Sequence, residues 1–170
     1  MESYKDACYK DVFKQAVSVF LYTVKNMLKT HCKNVDSKRS KALLAAAPCL
    51  NDGTPELIKC SDKTQDRLIA VEKLGPSFSK LKLGTLCCGY VEFTRCVESG
   101  LLKVKQNCKP QHVTTIMDFA RLLTDSTTGL MCGDLTGDTD RCDHFQYRKN
   151  NSTVKYHSVM APIVHIVTSL

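Results

Sequence analysis

The chain has 170 residues, with 24 Lys and Arg against 17 Asp and Glu and a formal net charge of +7. Apolar residues supply 43% and charged residues 24%, a globular mixture that excludes wholesale disorder. No apolar run approaches the ~18–20 residues that a bilayer-spanning helix needs, and eight Gly with five Pro exclude collagen-like and low-complexity chains.

The first predicted element is a long amphipathic helix over residues 6–31. Phe13, Ala16, Val17, Phe20, Leu21, Val24 and Leu28 recur at three- and four-residue steps, with Lys10, Lys14, Lys25 and Lys29 between them. A short second helix fits 37–47, opened by Asp36 or Ser37 and stopped by Pro48. Thr54-Pro55-Glu56 starts a third, with a hydroxyl N-cap, Pro at the first helical position and then an acid; it should run to Leu74, ahead of Gly75-Pro76. A fourth covers about 84–106 on Leu86, Tyr90, Phe93, Val97, Leu101 and Val104. The fifth begins at Pro110 and carries Val113, Ile116, Met117, Ala120 and Leu123 to roughly Leu130. Residues 133–143, rich in Gly and Asp, read as a loop with at most one helical turn. The β-branched run Val159-Met160-Ala161-Pro162-Ile163-Val164-His165-Ile166-Val167 favours a strand or an extended strap over a helix. The expected fold is therefore all-α: a disulfide-bonded bundle of about five helices over 1–153, followed by an extended apolar tail over 154–170.

Ten cysteines decide the compartment: Cys8, Cys32, Cys49, Cys60, Cys87, Cys88, Cys96, Cys108, Cys132 and Cys142. They are even in number and spread along the whole chain. Neither the short ligand spacings of zinc sites nor a C-x-x-C redox pair occurs. A framework of five disulfides in an oxidising compartment is the expectation, against reduced thiols in a cytosolic protein. Cys8 and Cys32 stand 24 residues apart, about 36 Å along one helix, whereas bridged Cα atoms approach within ~7 Å; they should not bridge each other. The same holds for Cys108 and Cys132, and the repeated spacing hints at two related halves. Adjacent Cys87 and Cys88 should hold two different partners. Met1-Glu2-Ser3-Tyr4-Lys5 has no apolar signal core, so the chain reads as a mature extracellular segment whose leader has been removed. Asn150 and Asn151 open two overlapping glycosylation sequons, Asn150-Asn151-Ser152 and Asn151-Ser152-Thr153, which agree with secretion.

Motifs for chemistry are few. Cys87-Cys88-Gly89-Tyr90-Val91-Glu92 invites comparison with the C-C-x-x-H-D-x-C helix of secreted phospholipases A2, but Val91 and Glu92 stand where His and Asp would act. Val cannot take a proton from water. No nucleophile elbow, phosphate-binding glycine loop or H-E-x-x-H appears. Asp134, Asp138, Asp140 and Asp143 lack the order of a calcium loop and read as solvated loop acids. His144, His157 and His165 read as surface or tail residues. No catalytic residue, metal or cofactor is expected. Positive charge looks thinly spread, with Lys33, Lys38, Arg39 and Lys41 in one cluster and Lys80, Lys82, Lys103, Lys105 and Lys109 in others. That pattern does not fit specific nucleic-acid binding, which wants a dense stripe with interleaved aromatics; a basic surface touching acidic glycans or anionic membranes is the alternative to plain solvation.

The run Cys87-Cys88-Gly89-Tyr90-Val91-Glu92-Phe93-Thr94-Arg95-Cys96, followed by Cys108 and Cys132, resembles secreted cysteine-rich helical proteins of invertebrates, of the arthropod haemolymph-glycoprotein type and related tick and spider proteins. The similarity covers mainly residues 84–142. It implies an all-helical, disulfide-bonded extracellular fold and assigns no catalytic residue. Together these features point to a secreted, non-enzymatic binding protein for a small apolar ligand or a protein partner. The rivals are an assembly component of silk, egg case or matrix that self-associates through its tail, and a secreted effector that binds a host receptor.

Overall fold

The structure, a computed structural model, describes residues 11–133, 135 and 141–170. Among these residues there are six α-helices: α1 Asp11–Cys32, α2 Lys38–Asp52, α3 Thr54–Glu72, α4 Ser79–Lys103, α5 Pro110–Cys132 and α6 Met160–Thr168. A 3₁₀ turn, Pro76–Phe78, leads into α4. No strand occurs among the described residues, so the all-α class holds, with six helices where about five were expected. Helix α4 is central, packed against α3 on one side and α5 on the other; α1 and α2 cover α5, and α6 lies on α3.

The main core forms where α2, α3, α4 and α5 meet, around Ala46, Cys49, Cys60, Val97, Leu101, Val113, Ile116 and Met117. Gly53 joins α2 to α3 there. Its N–H reaches Cys49 O at 2.9 Å, and a Cβ at this position would overlap the Leu101 side chain. Thr54 is the first residue of α3 rather than its cap, and its hydroxyl donates back to Leu50 O at 3.3 Å. Helix α2 passes through Pro48 instead of stopping at it. Proline removes the N–H that Leu44 O would accept; Leu44 is exposed, so water can take that carbonyl. Helix α4 starts five residues earlier than expected. Gly84 falls inside it, where a Cβ would come within 2.7 Å of the Phe145 ring.

Among the described residues eight cysteines form four disulfides: Cys49–Cys108, Cys60–Cys96, Cys87–Cys132 and Cys88–Cys142. Cys87 and Cys88 take different partners because adjacent helical residues point about 100° apart, Cys87 towards α5 and Cys88 towards the segment after it. Cys108 and Cys132 flank α5 and each bridges to another element. Cys8 lies outside the described residues, and with it the expectation that Cys8 and Cys32 do not bridge.

The tail departs from its expected form: residues 160–168 are helical, not extended. β-Branched residues favour strands by packing on a pleated, half-buried surface, and no strand among the described residues offers one. A helix instead puts Val159, Ile163, Ile166 and Leu170 on one face, against Leu68, Val71, Leu74, Leu81 and Leu86. Pro162 is tolerated because it lies in the first turn.

Two buried ionisable side chains fasten this helix. Lys82, expected on a basic surface, is fully buried; its ammonium donates to Ser169 Oγ at 2.7 Å, and that hydroxyl donates to Ile166 O at 2.9 Å. A cation at the end of α6 suits the negative pole of the helix. Glu72, also buried, accepts from the Tyr156 hydroxyl at 3.0 Å and faces His165 Nδ1 at 3.4 Å.

Candidate functional site

A cleft of about 700 Å³ opens between α4 and α5. Its walls follow from helical spacing. Tyr90, Thr94 and Glu98 stand four residues apart on α4, as do Val91 and Arg95, and Arg121, Asp125, Thr128 and Cys132 form the facing row on α5. The Cys87–Cys132 disulfide, with Cα atoms 5.6 Å apart, closes one end. At the other end Arg121 spans the helices, 3.7 Å from Glu98 and 3.7 Å from Asp118. Leu135 lines the rim.

The lining mixes polar and apolar surface, and its charges balance, Arg95 and Arg121 against Glu98 and Asp125. Arg95 reaches Asp143 at 2.6 Å, next to the Cys88–Cys142 bridge. The Tyr90 hydroxyl donates to Thr124 Oγ1, whose own proton goes to Ala120 O at 2.9 Å. Burial raises the Tyr90 phenol above its ordinary range, so it is a hydrogen-bond donor near neutral pH and not a base. Among the described residues no histidine lines the cleft, and Cys132 is bridged. Such a site can hold a ligand through donors and acceptors of both signs.

The other residues singled out in the sequence have structural places. Val91 is buried in a third cluster with Cys88 and Cys142, and Glu92 is ion-paired with Arg67 and, at 3.7 Å, with Lys63. The two positions that hold His and Asp in phospholipases thus serve packing and pairing. Arg67 also stacks 3.8 Å from the centre of the Tyr147 ring, and burial pushes the Tyr147 phenol well up. Asp134, Asp138 and Asp140 lie outside the described residues, Asp143 is paired, and no group of three or more metal-ligating residues forms among the described ones. His144 and His157 are exposed. Asn150 is half-buried, donating to Asp66 Oδ1 at 3.3 Å and accepting from the Ser152 N–H at 2.9 Å, whereas Asn151 is exposed.

Of the Leu, Val and Met side chains, which could line a pocket for a small apolar ligand or equally fill a core, Val91 and Leu135 line this cleft. Others pack against one another in the three clusters, Met117 among them, while Met160 is exposed. The sequence did not single out Thr94, Glu98, Arg121, Asp125 or Thr128. The available signal was their common four-residue step on two helices whose ends carry paired cysteines. Comparison with protein-family models, curated proteins and solved structures finds no match.

Proposed function

We propose that the chain is a secreted, non-enzymatic binding protein whose ligand occupies the α4–α5 cleft. The observation that carries this reading is the cleft itself: its volume of about 700 Å³ falls in the ~300–1,000 Å³ range of small-molecule sites, and a disulfide holds its walls together. The lining suits a ligand that carries both donor and acceptor groups, for Arg121, Thr94 and Glu98, beside apolar surface for Val91 and Leu135. Four disulfides support an oxidising compartment, and the resemblance of residues 84–142 to secreted invertebrate proteins points the same way. The assembly reading loses its main support, because the apolar strap it needs is spent on α3 of the same chain.

The test is native mass spectrometry of the protein secreted from eukaryotic cells, beside a Thr94→Trp variant that fills the cleft. A non-covalent adduct on the parent chain, absent from the variant, is the expected result. Identical masses, with equal melting temperatures before and after exhaustive dialysis, would overturn it.

A further inference from the structure

The net charge is not thinly spread. From Asp11 to Asp52 the chain carries seven cations (Lys14, Lys25, Lys29, Lys33, Lys38, Arg39 and Lys41) against three acids, Asp11, Asp36 and Asp52, a net +4 of the chain's +7. This segment is α1, α2 and the turn between them. Elsewhere acids and bases nearly cancel, and they do so in contact: Lys59 with Glu56, Arg67 with Glu92, Arg95 with Asp143, Arg121 with Glu98.

Lys25, Lys29 and Lys33 are exposed and stand four residues apart, so they form one column at steps of ~6 Å along α1 and just past its end. Tyr22 and Asn26 are exposed on the same face. Lys38 and Arg39 are exposed at the start of α2 and continue the column around the corner. None of these five cations has an ion-pair partner among the described residues. The nearby acids are engaged or set apart: Asp36 is 3.2 Å from Lys41, and Asp118, beside Arg39 in a shallow groove, is 3.7 Å from Arg121. The corner is held in shape by buried Ser40, whose single hydroxyl proton is shared between His31 O at 2.8 Å and Asn34 O at 2.9 Å.

We propose that this column and corner form a docking surface for a linear sulfated polysaccharide. Charge complementarity names a polyanion, and the make-up of the face chooses among polyanions. A helix that enters a lipid surface turns a stripe of Leu, Phe or Trp towards the acyl chains; this column presents Lys, Asn and one Tyr, and the exposed Leu28 beside it and Val35 at the corner stand singly and form no such stripe. Single-stranded nucleic acid is held by successive aromatic platforms, and here Tyr22 stands alone. A flexible chain of sulfates laid along evenly spaced ammonium groups needs neither feature. The choice of an extracellular polyanion rests on the secreted reading above; the surface itself does not.

The experiment measures retention of the full chain on immobilised heparin, with free thiols titrated on the same preparation. The parent protein should be retained at physiological salt, and the triple variants Lys25→Glu/Lys29→Glu/Lys33→Glu and Lys25→Gln/Lys29→Gln/Lys33→Gln should each bind at least ~10-fold more weakly, because several released counterions are lost. Helical circular dichroism of each variant confirms that it is folded; the neutral series serves if the reversed one is not. Reversing Lys103, Lys105 and Lys109, exposed at the end of α4 and in the link to α5, removes the same charge elsewhere and should change retention little. Equal loss in both sets would show attraction by net charge alone and overturn the proposal. Stronger binding to phosphatidylserine vesicles or to poly(U) than to heparin would overturn it as well. Reactive thiols in a heparin-binding preparation would sink the secreted reading and leave the surface standing; bridged cysteines without retention would do the reverse.

Discussion

Two regions of this molecule are built on different principles. From α3 to α5, every helix is crosslinked, cations sit on carboxylates as at Arg67–Glu92 and Arg121–Glu98, and buried side chains come from each element, while α2 joins this region at one bridge, Cys49–Cys108. The α1–α2 pair covers α5 with little of its own surface buried: among its described side chains only Ala16, Ser40, Ala46 and Cys49 are buried. Its outer faces are basic, or apolar and exposed, as at Tyr22 and Leu44. The difference teaches where stability and availability lie. One region holds the fold and the cleft, and the other presents charge to the solvent.

The sharpest way to break this contrast is to delete equal side chains from each region. Leu101 is fully buried against Gly53, so Leu101→Ala should cost about 2–5 kcal/mol in urea unfolding. Leu44, 65% exposed, should cost within about 0.5 kcal/mol when changed to Ala. Removing the Cys60–Cys96 bridge by a double Ala substitution should cost a further ~2–5 kcal/mol. Comparable losses at Leu44 and Leu101 would mean that the two regions are equally packed.

A smaller effect tests the fastening of α6. Ser169→Ala leaves the Lys82 ammonium buried with no acceptor among the described residues, and an unsatisfied buried group costs roughly 1–3 kcal/mol. Lys82→Met removes the charge and keeps the length, so it should be near neutral, as replacement of buried ions by apolar side chains often is. Denaturation midpoints of the two variants should therefore separate, with Ser169→Ala the lower.

The legibility of this fold in its sequence follows the same division. Five helices could be read because their apolar residues recur at helical steps and because Thr54-Pro55-Glu56 and Pro110 punctuate the chain. Pro48 misled because the carbonyl it orphans belongs to Leu44, an exposed residue, a fact of tertiary placement. The tail misled because β-propensity reports the surface a residue will meet, and the surface here is a groove between helices. Lys82 read as surface for a related reason: its hydroxyl partner lies 87 residues away. The cleft was the least visible feature, since its walls belong to two helices and only the fold puts Arg121 opposite Glu98.

Alkali should probe the tyrosines of the crosslinked side. Burial raises the Tyr90 and Tyr147 phenols in the folded state, so the folded chain holds those protons longer than the unfolded one does. The stability they contribute is fully present below about pH 10, the ordinary tyrosine range, and is lost as pH rises through the folded values. Absorbance at alkaline pH should show the Tyr90 and Tyr147 phenols of the crosslinked side ionising later in the folded chain than in urea, with Tyr90→Phe and Tyr147→Phe each removing part of the late step.

The smallest expected effect is the most telling for the basic face. Lys25, Lys29 and Lys33 repel one another at four-residue spacing, and each such like-charge pair costs roughly 0.2–0.5 kcal/mol. Lys29→Glu turns two repulsions into two attractions and should raise the melting temperature by a few degrees at low salt. The gain should vanish at ~1 M salt, where the screening length falls to about 3 Å. Arg67→Gln, which breaks a pair with Glu92 and a stack on Tyr147, should lower the melting temperature at both salts. If Lys29→Glu destabilised the chain, the lysine column would have an unseen structural role and the contrast between the regions would close. If it stabilises, the native column sets three like charges side by side at a cost to the fold. A surface that weakens its own domain and has no partner among the described residues is explained by what it meets outside the chain.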